Sequence, residues 1–206
     1  MLARVSSVDA SGSCADDESW RNDAAWTASV YHVADYALFI RSAKIGSTFM
    51  QASSEFMRQA IALATNNVTS GRGGPFGAVV VKDGKVVATG VNLVTASNDP
   101  TAHAEVTAIR NACRSLGTFQ LEGCDVYTSC EPCPMCLAAI YWARCRAIYY
   151  GNTAADAAKV GFDDSVLYDE VKRPLDERRI PIVRMLPDEA WASFVAWRDA
   201  TAKVVY

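Results

Sequence analysis

The sequence predicts an α/β protein, a three-layer α/β/α sandwich built on a mixed sheet of about five strands. Strand-like and helix-like segments alternate through the middle of the chain, an order typical of parallel strands joined by helical crossovers. A strong hairpin turn, Asp83-Gly84, precedes this run and predicts an antiparallel pair. Half of the 206 residues are hydrophobic, which is enough for a sizeable core.

The predicted domain opens with a helix and a hairpin. Ser53-Ser54-Glu55 can cap a helix over about 55–66, whose apolar residues recur on one face. A glycine-rich loop follows at 70–75. Strands are predicted at 76–81 and 85–91, on either side of the hairpin turn.

The second half of the chain alternates helices with strands. Helices are predicted at about 103–116, 133–143, 164–171 and 187–204. Strands are predicted at 125–129, 147–150 and 180–185. The strands on either side of the helix at 133 should be parallel. The helices that begin at 103 and 133 should then start at the same edge of the sheet, where open α/β sheets bind ligands.

Residues 1–49 differ in composition from the rest. They contain a small polar stretch and an acidic cluster between Asp16 and Asp23, and their aromatic residues follow no period. The acidic cluster argues against a transit peptide. We expect residues 1–49 to be a poorly ordered N-terminal extension and residues 50–206 to be the functional domain, with a C-terminal helix and tail.

Composition excludes several classes of partner. The net charge is −3 and no basic run is present, which speaks against nucleic-acid binding. No apolar stretch approaches the length of a membrane span, so no membrane partner is expected. Of the seven cysteines, two belong to a C-x-x-C motif and leave an odd remainder. Free thiols in a reducing cytoplasm explain that number most simply.

Two short motifs predict a metal site. They are His103-Ala104-Glu105 and Pro132-Cys133-Pro134-Met135-Cys136. Pro134 suits the first turn of a helix, so both cysteines should lie at a helix N-terminus, which favours thiolates. One histidine and two cysteines leave one position of a tetrahedral zinc open, as in catalytic sites. We predict one zinc ion per chain, bound by His103, Cys133 and Cys136.

Glu105 is not needed as a fourth ligand and can move protons instead. Together the motifs match the H-x-E and P-C-x-x-C pattern of the zinc-dependent deaminases. The alternative interpretations are a structural zinc or a disulfide between Cys133 and Cys136, and neither has a use for Glu105.

From residue 50 to 206 the sequence resembles the cytidine-deaminase superfamily and, within it, the bacterial guanine deaminases. The segments that carry the resemblance are Gly73-Gly74-Pro75-Phe76-Gly77-Ala78, Asn98 to Glu105, Ser129 to Cys136, Ile140 to Arg144, Gly161-Phe162-Asp163-Asp164-Ser165, and Ala196 to Tyr206. The resemblance implies a cytidine-deaminase-like fold. It also implies hydrolysis of guanine to xanthine and ammonia by a zinc-activated water, with Glu105 shuttling protons.

The resemblance also implies the residues that hold the substrate, a small purine base. Phe76 would stack on the base, Asn92 would hydrogen-bond it, Ala104 would contact it, and Asp164 would be a second catalytic carboxylate. From the residues alone, Phe76 fits a core strand equally well and Asn92 fits a turn. Asp163 and Asp164 both fit a helix cap.

Trp142 fits either the wall of the pocket or the core. The resemblance further implies a domain-swapped homodimer in which Tyr206 closes the active site of the partner, whereas the simpler expectation is a tail docked on its own subunit. Other substrates remain open: a guanosine deaminase is the nearest alternative, and transfer-RNA adenosine and cytosine deaminases share the motifs. A zinc-stabilised binding module without turnover is the alternative from a different class.

Overall fold

Four strands form one mixed sheet in the order β2-β1-β3-β4. The strands are β1 (Gly77–Lys82), β2 (Lys85–Val91), β3 (Cys124–Cys130) and β4 (Ala147–Asn152). Strand β1 pairs antiparallel with β2 and β3, and β3 pairs parallel with β4. The computed structural model describes residues 52–205. The predictions for residues 1–49 and for Tyr206 lie outside these residues.

Residues 52–205 also form seven α-helices. They are α1 (Ser54–Thr69), α2 (Val94–Ser97), α3 (Ala104–Leu116), α4 (Pro134–Trp142), α5 (Ala154–Ala158), α6 (Ser165–Lys172) and α7 (Pro187–Asp199), with a 3-10 turn at Leu175–Glu177. The predicted helices are confirmed, with ends shifted by a few residues. None of the helices formed by residues 52–205 combines the length and apolar character that crossing a bilayer requires.

Helices cover the sheet on both faces. Ala60 of α1 packs with Val79 on one face, and Ala108 of α3 packs with Val80 on the other. The central strands are therefore buried on both sides, and β3 has every residue buried. This explains the continuous apolar run of β1, which is typical of covered strands. The three-layer prediction is confirmed, with four strands among residues 52–205 where about five were expected.

The hairpin turn is confirmed in detail. Asp83 and Gly84 have φ angles of 51° and 73°, the two left-handed positions of a type I′ turn. Lys82 pairs with Lys85 beside the turn. At the other end of the hairpin Gly77 pairs with Val91, so the start of β1 and the end of β2 lie side by side.

Gly90 seats helix α3 directly on the sheet. A Cβ atom at Gly90 would lie 2.3 Å from the backbone oxygen of Ala104 and 2.4 Å from the backbone nitrogen of Ala108. Only a residue without a side chain permits this approach. The first turn of α3, and with it His103, is thereby fixed against β2.

The strand predicted at 180–185 is wrong. Residues 181–186 adopt no regular structure, and Ile180, Val183 and Met185 are 78%, 74% and 74% exposed. The apolar, β-branched composition favours a strand, but a strand forms only beside another strand edge. Pro181 also lacks the N–H that a ladder requires.

A partly buried ion pair joins the two parallel strands. Asp125 of β3 has a side chain only 1% exposed. Arg146, which precedes β4, donates from Nε to Oδ1 at 2.8 Å and from Nη2 to Oδ2 at 2.7 Å. Such bidentate pairing compensates the removal of the carboxylate from water.

We expect Arg146→Met to lower the free energy of unfolding by about 2–4 kcal/mol, because a buried carboxylate loses its partner. Urea denaturation measures this change. The control is Lys159→Met, because Lys159 pairs with Asp156 at 2.7 Å but the two side chains are 72% and 43% exposed. Its effect should stay below about 1 kcal/mol, and equal effects of the two substitutions would contradict the assignment.

Candidate active site

The starts of two helices bring three metal-ligand side chains together. His103 is the N-cap of α3 and Cys133 is the N-cap of α4, with Pro134 in the first helical turn. The Nδ1 atom of His103 lies 3.6 Å from Cys133 Sγ and 3.5 Å from Cys136 Sγ. The sequence predicted that these residues lie at the same edge of the sheet, and in the structure their side chains are in contact.

The geometry of this donor set fits zinc. In a tetrahedral site with Zn–S of about 2.3 Å and Zn–N of about 2.0–2.1 Å, the nitrogen and sulfur ligands lie about 3.5–3.6 Å apart. The ligand atoms of His103, Cys133 and Cys136 all lie within 4.8 Å of one another. Imidazole and thiolate are also the ligands that zinc prefers.

The pKa values of the two cysteines are shifted in opposite directions. Hydrogen bonds with Cys136 and, to a smaller extent, with His103 lower the pKa of Cys133 to about 4. The hydrogen bond with Cys133, together with burial, raises the pKa of the Cys136 thiol. Cys133 is therefore held as a thiolate, the form that binds metals.

Glu105 lies beside the donor set and is only 5% exposed. Thr128 Oγ1 donates to one carboxylate oxygen, Oε1, at 3.2 Å. The other oxygen, Oε2, lies 3.5 Å from Cys136 Sγ. Burial raises the pKa of the Glu105 carboxyl above its ordinary value, which suits a group that exchanges protons near neutral pH.

These groups open onto a cavity of about 320 Å³, large enough for a small heterocycle. Its lining consists of Phe76, His103, Glu105, Cys130, Glu131, Cys133, Ala154, Ala157, Gly161, Phe162, Asp163 and Asp164. The rings of Phe76 and Phe162 meet edge to face, with centroids 4.9 Å apart and an interplanar angle of 87°. Phe162 thus braces Phe76 in the cavity wall.

The structure separates the two aspartates that precede α6. Asp163 Oδ1 accepts a hydrogen bond from the Ser165 N–H at 2.9 Å, and this bond lowers the pKa of Asp163. Asp164 is the N-cap of α6 but makes no side-chain cap hydrogen bond. Burial, followed by the charge of Cys133, raises its pKa. Asp163 therefore shapes the turn, and Asp164 keeps its carboxyl available to the cavity.

Comparisons with known proteins agree with this geometry. Residues 50–152 match the cytidine and deoxycytidylate deaminase zinc-binding region. The chain belongs to the cytidine and deoxycytidylate deaminase family. The guanine deaminase of Bacillus subtilis (strain 168) is 56% identical over 151 residues, which make up 73% of this chain and 97% of that protein.

Solved structures and more distant relatives place the chain within the family. The X-ray structure of guanine deaminase from Bacillus subtilis has a TM-score of 0.74 and 54% identity, and covers 76% of this chain and 99% of that one. A tRNA-specific adenosine deaminase of Agrobacterium fabrum (strain C58) is 53% identical, but only over 77 residues, 37% of this chain and 51% of that protein. The resemblance to bacterial guanine deaminases and the zinc cofactor are thus confirmed.

Not every predicted substrate residue lies on the cavity of this family member. Phe76 and Asp164 line it. Asn92 is 8% exposed, and its backbone N–H donates to the Phe76 carbonyl at 3.1 Å. Ala104 is fully buried in the core. Trp142 is 71% exposed, so it lies neither in the core nor among the lining residues of its own chain.

Three residues that shape the site were assigned no individual role from the sequence. Phe162 immediately precedes the two aspartates, and this position in the sequence could have indicated that it lies at the site. Thr128 is a polar residue within a strand that is buried on both faces. Polar residues are uncommon in such strands, so its position could have indicated a functional role. Glu131 Oε2 accepts the Ala154 N–H at 3.0 Å and so ties the start of α5 to the loop before Cys133.

We expect Cys133→Ala to lower the zinc content from about one ion per chain to nearly none, because three ligands become two. Metal analysis after gel filtration measures the loss. Cys130→Ala is the matched control: Cys130 also lines the cavity, but its Sγ lies 3.6 Å from the Thr153 carbonyl oxygen. Full zinc occupancy in Cys133→Ala would show that another set of ligands holds the metal.

Proposed function

We propose that this protein hydrolyses guanine to xanthine and ammonia, with one zinc ion per chain bound by His103, Cys133 and Cys136. The observation that carries the proposal is the buried Glu105 carboxylate, which lies beside the donor set in a cavity that also holds Asp164. The choice of guanine is supported by the 56% identity to the Bacillus subtilis guanine deaminase.

Zinc, when bound by these residues, supplies a Lewis acid that brings the pKa of water toward neutrality. Binding of the ion would release the proton of Cys136, and two thiolates would then offset much of the charge of the ion, so a nearby base is useful. Glu105 takes a proton on Oε2, the oxygen nearest the donor set, while Thr128 holds Oε1. It passes this proton, taken from water, to the ring nitrogen beside C2. It then takes the second proton of the same water and passes it to the amino group, which leaves as ammonia.

Four further residues are candidates to hold the base, of which Phe76 and Asp164 line the cavity. Phe76 offers an aromatic face to the flat heterocycle, and the Asn92 amide can both donate to and accept from its edge. Asp164 is a second carboxylate that can bind the amino group or take part in proton transfer. Ala104, between His103 and Glu105, is a further candidate contact.

We expect Glu105→Gln to lower kcat by about 10²- to 10⁴-fold, because an amide cannot accept and return a proton. Zinc content should stay at the wild-type level, and the exposed Glu122→Gln should be unaffected. Ammonia release is measured with guanine, guanosine, cytosine and adenine. If the wild-type protein releases ammonia from guanosine alone, its substrate is guanosine instead of guanine. If it releases ammonia from none of the four compounds, a binding module without turnover is favoured.

We expect Asp164→Ala to reduce guanine turnover at least about tenfold more than Asp163→Ala does, because only Asp164 keeps its carboxyl free of a turn hydrogen bond. Asp163→Ala should instead lower the melting temperature through the loss of its bond to Ser165. Steady-state kinetics and thermal denaturation compare the two. The reverse order in turnover would mean that Asp163 is the catalytic carboxylate.

We further propose a homodimer that exchanges C-terminal segments. Helix α7 leaves Trp191 and Phe194 51% and 63% exposed, and Tyr141 and Trp142 on α4 are 52% and 71% exposed. Apolar surface of this extent favours burial against a partner. Exchange of an identical segment closes a two-fold dimer at little cost. In such a dimer Tyr206 would cover the zinc site of the partner, and Trp142 could reach the shared interface.

We expect deletion of residues 201–206 to reduce activity strongly while zinc stays bound, because the pocket loses its cover. Mixing this truncation with Glu105→Gln should restore activity once subunits exchange. The hybrid dimer pairs an intact site with an intact tail, so up to about a quarter of the sites become active. A mixture that exchanges subunits without gaining activity would show that the tail acts on its own chain.

Two broader assignments complete the proposal. We propose that residues 50–206 form the catalytic unit, because the family match begins at residue 50. We also infer that the protein acts in the cytoplasm, since the cysteines within residues 52–205 are free thiols.

A further inference from the structure

Asn67 is a polar residue in an apolar position. It lies near the end of α1, is fully buried, and shares the buried face of that helix with Ala60 and Ala64. Its Nδ2 atom donates two hydrogen bonds, to the Gly74 carbonyl at 2.9 Å and to the Asn92 carbonyl at 2.8 Å. One side chain therefore joins α1, the loop before β1 and the end of β2.

The two acceptors belong to the segments that carry the proposed substrate contacts. The Phe76 N–H donates to the Gly74 carbonyl at 2.8 Å, and the Asn92 N–H donates to the Phe76 carbonyl at 3.1 Å. With the bonds from Asn67, these contacts form a closed ring of hydrogen bonds. The ring fixes the backbone of Phe76 relative to that of Asn92.

The orientation of this amide is determined by its surroundings. Its Oδ1 atom is buried and has no hydrogen-bond partner among the residues that the structure describes, which is unfavourable. Rotating the amide by half a turn would place Oδ1 against two carbonyl oxygens, which cannot donate to it. An apolar residue would fill the position without an unpartnered oxygen, so packing alone does not explain the amide.

Gly73 shows how closely the same segments approach. A Cβ atom at this position would lie 2.3 Å from the Asn92 carbonyl oxygen and 3.0 Å from Asn67 Nδ2. A side chain there would force Asn92 or Asn67 to move. Gly73 and Asn67 thus set the same junction, one by leaving space and the other by hydrogen bonding.

We propose that Asn67 is a positioning residue for substrate binding, which sets the spacing between the Phe76 ring and Asn92 and thereby the affinity for the purine base. This inference rests on the proposed function, because it takes Phe76 and Asn92 as contacts of the base. A change in spacing weakens binding in the ground state and the transition state alike, so it raises KM and leaves kcat unchanged.

The test compares Asn67→Leu with Asn111→Leu. Asn111 is half-buried, and its Nδ2 donates to the Thr89 carbonyl at 2.8 Å between α3 and β2, away from the cavity lining. Both substitutions remove an amide bridge to a backbone carbonyl, and both should lower the melting temperature. Only Asn67→Leu should raise the KM for guanine, by about tenfold or more, with kcat within about threefold and zinc content unchanged.

Two further measurements keep the proposal falsifiable. Gly73→Ala should give the same rise in KM. If Asn67→Leu does not fold, the KM of Gly73→Ala tests the proposal in its place. The dissociation constant of xanthine, measured by calorimetry, should rise in parallel without turnover. If the wild-type protein turns over guanine, an unchanged KM in both Asn67→Leu and Gly73→Ala would overturn the proposal. A rise in the KM of Asn111→Leu equal to that of Asn67→Leu would overturn it as well. Absence of that wild-type turnover would instead overturn the proposed function.

Discussion

The separation of 3.5–3.6 Å between His103 Nδ1 and two cysteine sulfurs is the constraint on which the structure depends. Meeting it requires that two helices begin at the same place. Gly90 lets the backbone of α3 rest directly on β2, and the parallel pairing of β3 with β4 sets the path of the chain through α4. The ligands therefore lie on elements held by backbone packing, which keeps a site rigid.

Local chemistry explains why much of the fold could be predicted. Asp83-Gly84 selects its turn through backbone preferences that no distant residue needs to supply. Pro134 marks a helix start because its ring removes one N–H and fixes φ. The two metal motifs were recognisable because few chemical settings require one histidine, one glutamate and two cysteines at that spacing.

Other features depend on contacts that the sequence does not specify locally. The segment Ile180 to Met185 has strand composition, but whether it forms a strand depends on a free sheet edge beside it. Asp163 and Asp164 are identical in chemistry, and only the path of the backbone decides which of them receives the Ser165 N–H. Phe162 likewise became part of the site through its contact with Phe76, a residue far away in sequence.

The hairpin turn lies at the far end of β1 and β2 from the cavity. Phe76 precedes β1 and Asn92 follows β2, whereas Asp83 and Gly84 follow the six residues of β1, a distance of roughly 20 Å. A fluorophore, an affinity tag or a surface tether attached at this turn would leave the cavity wall unobstructed. A label on the C-terminal residue would not, if that residue covers the site of a partner. The turn is therefore the natural attachment point for immobilising the enzyme or for testing the proposed subunit exchange by energy transfer.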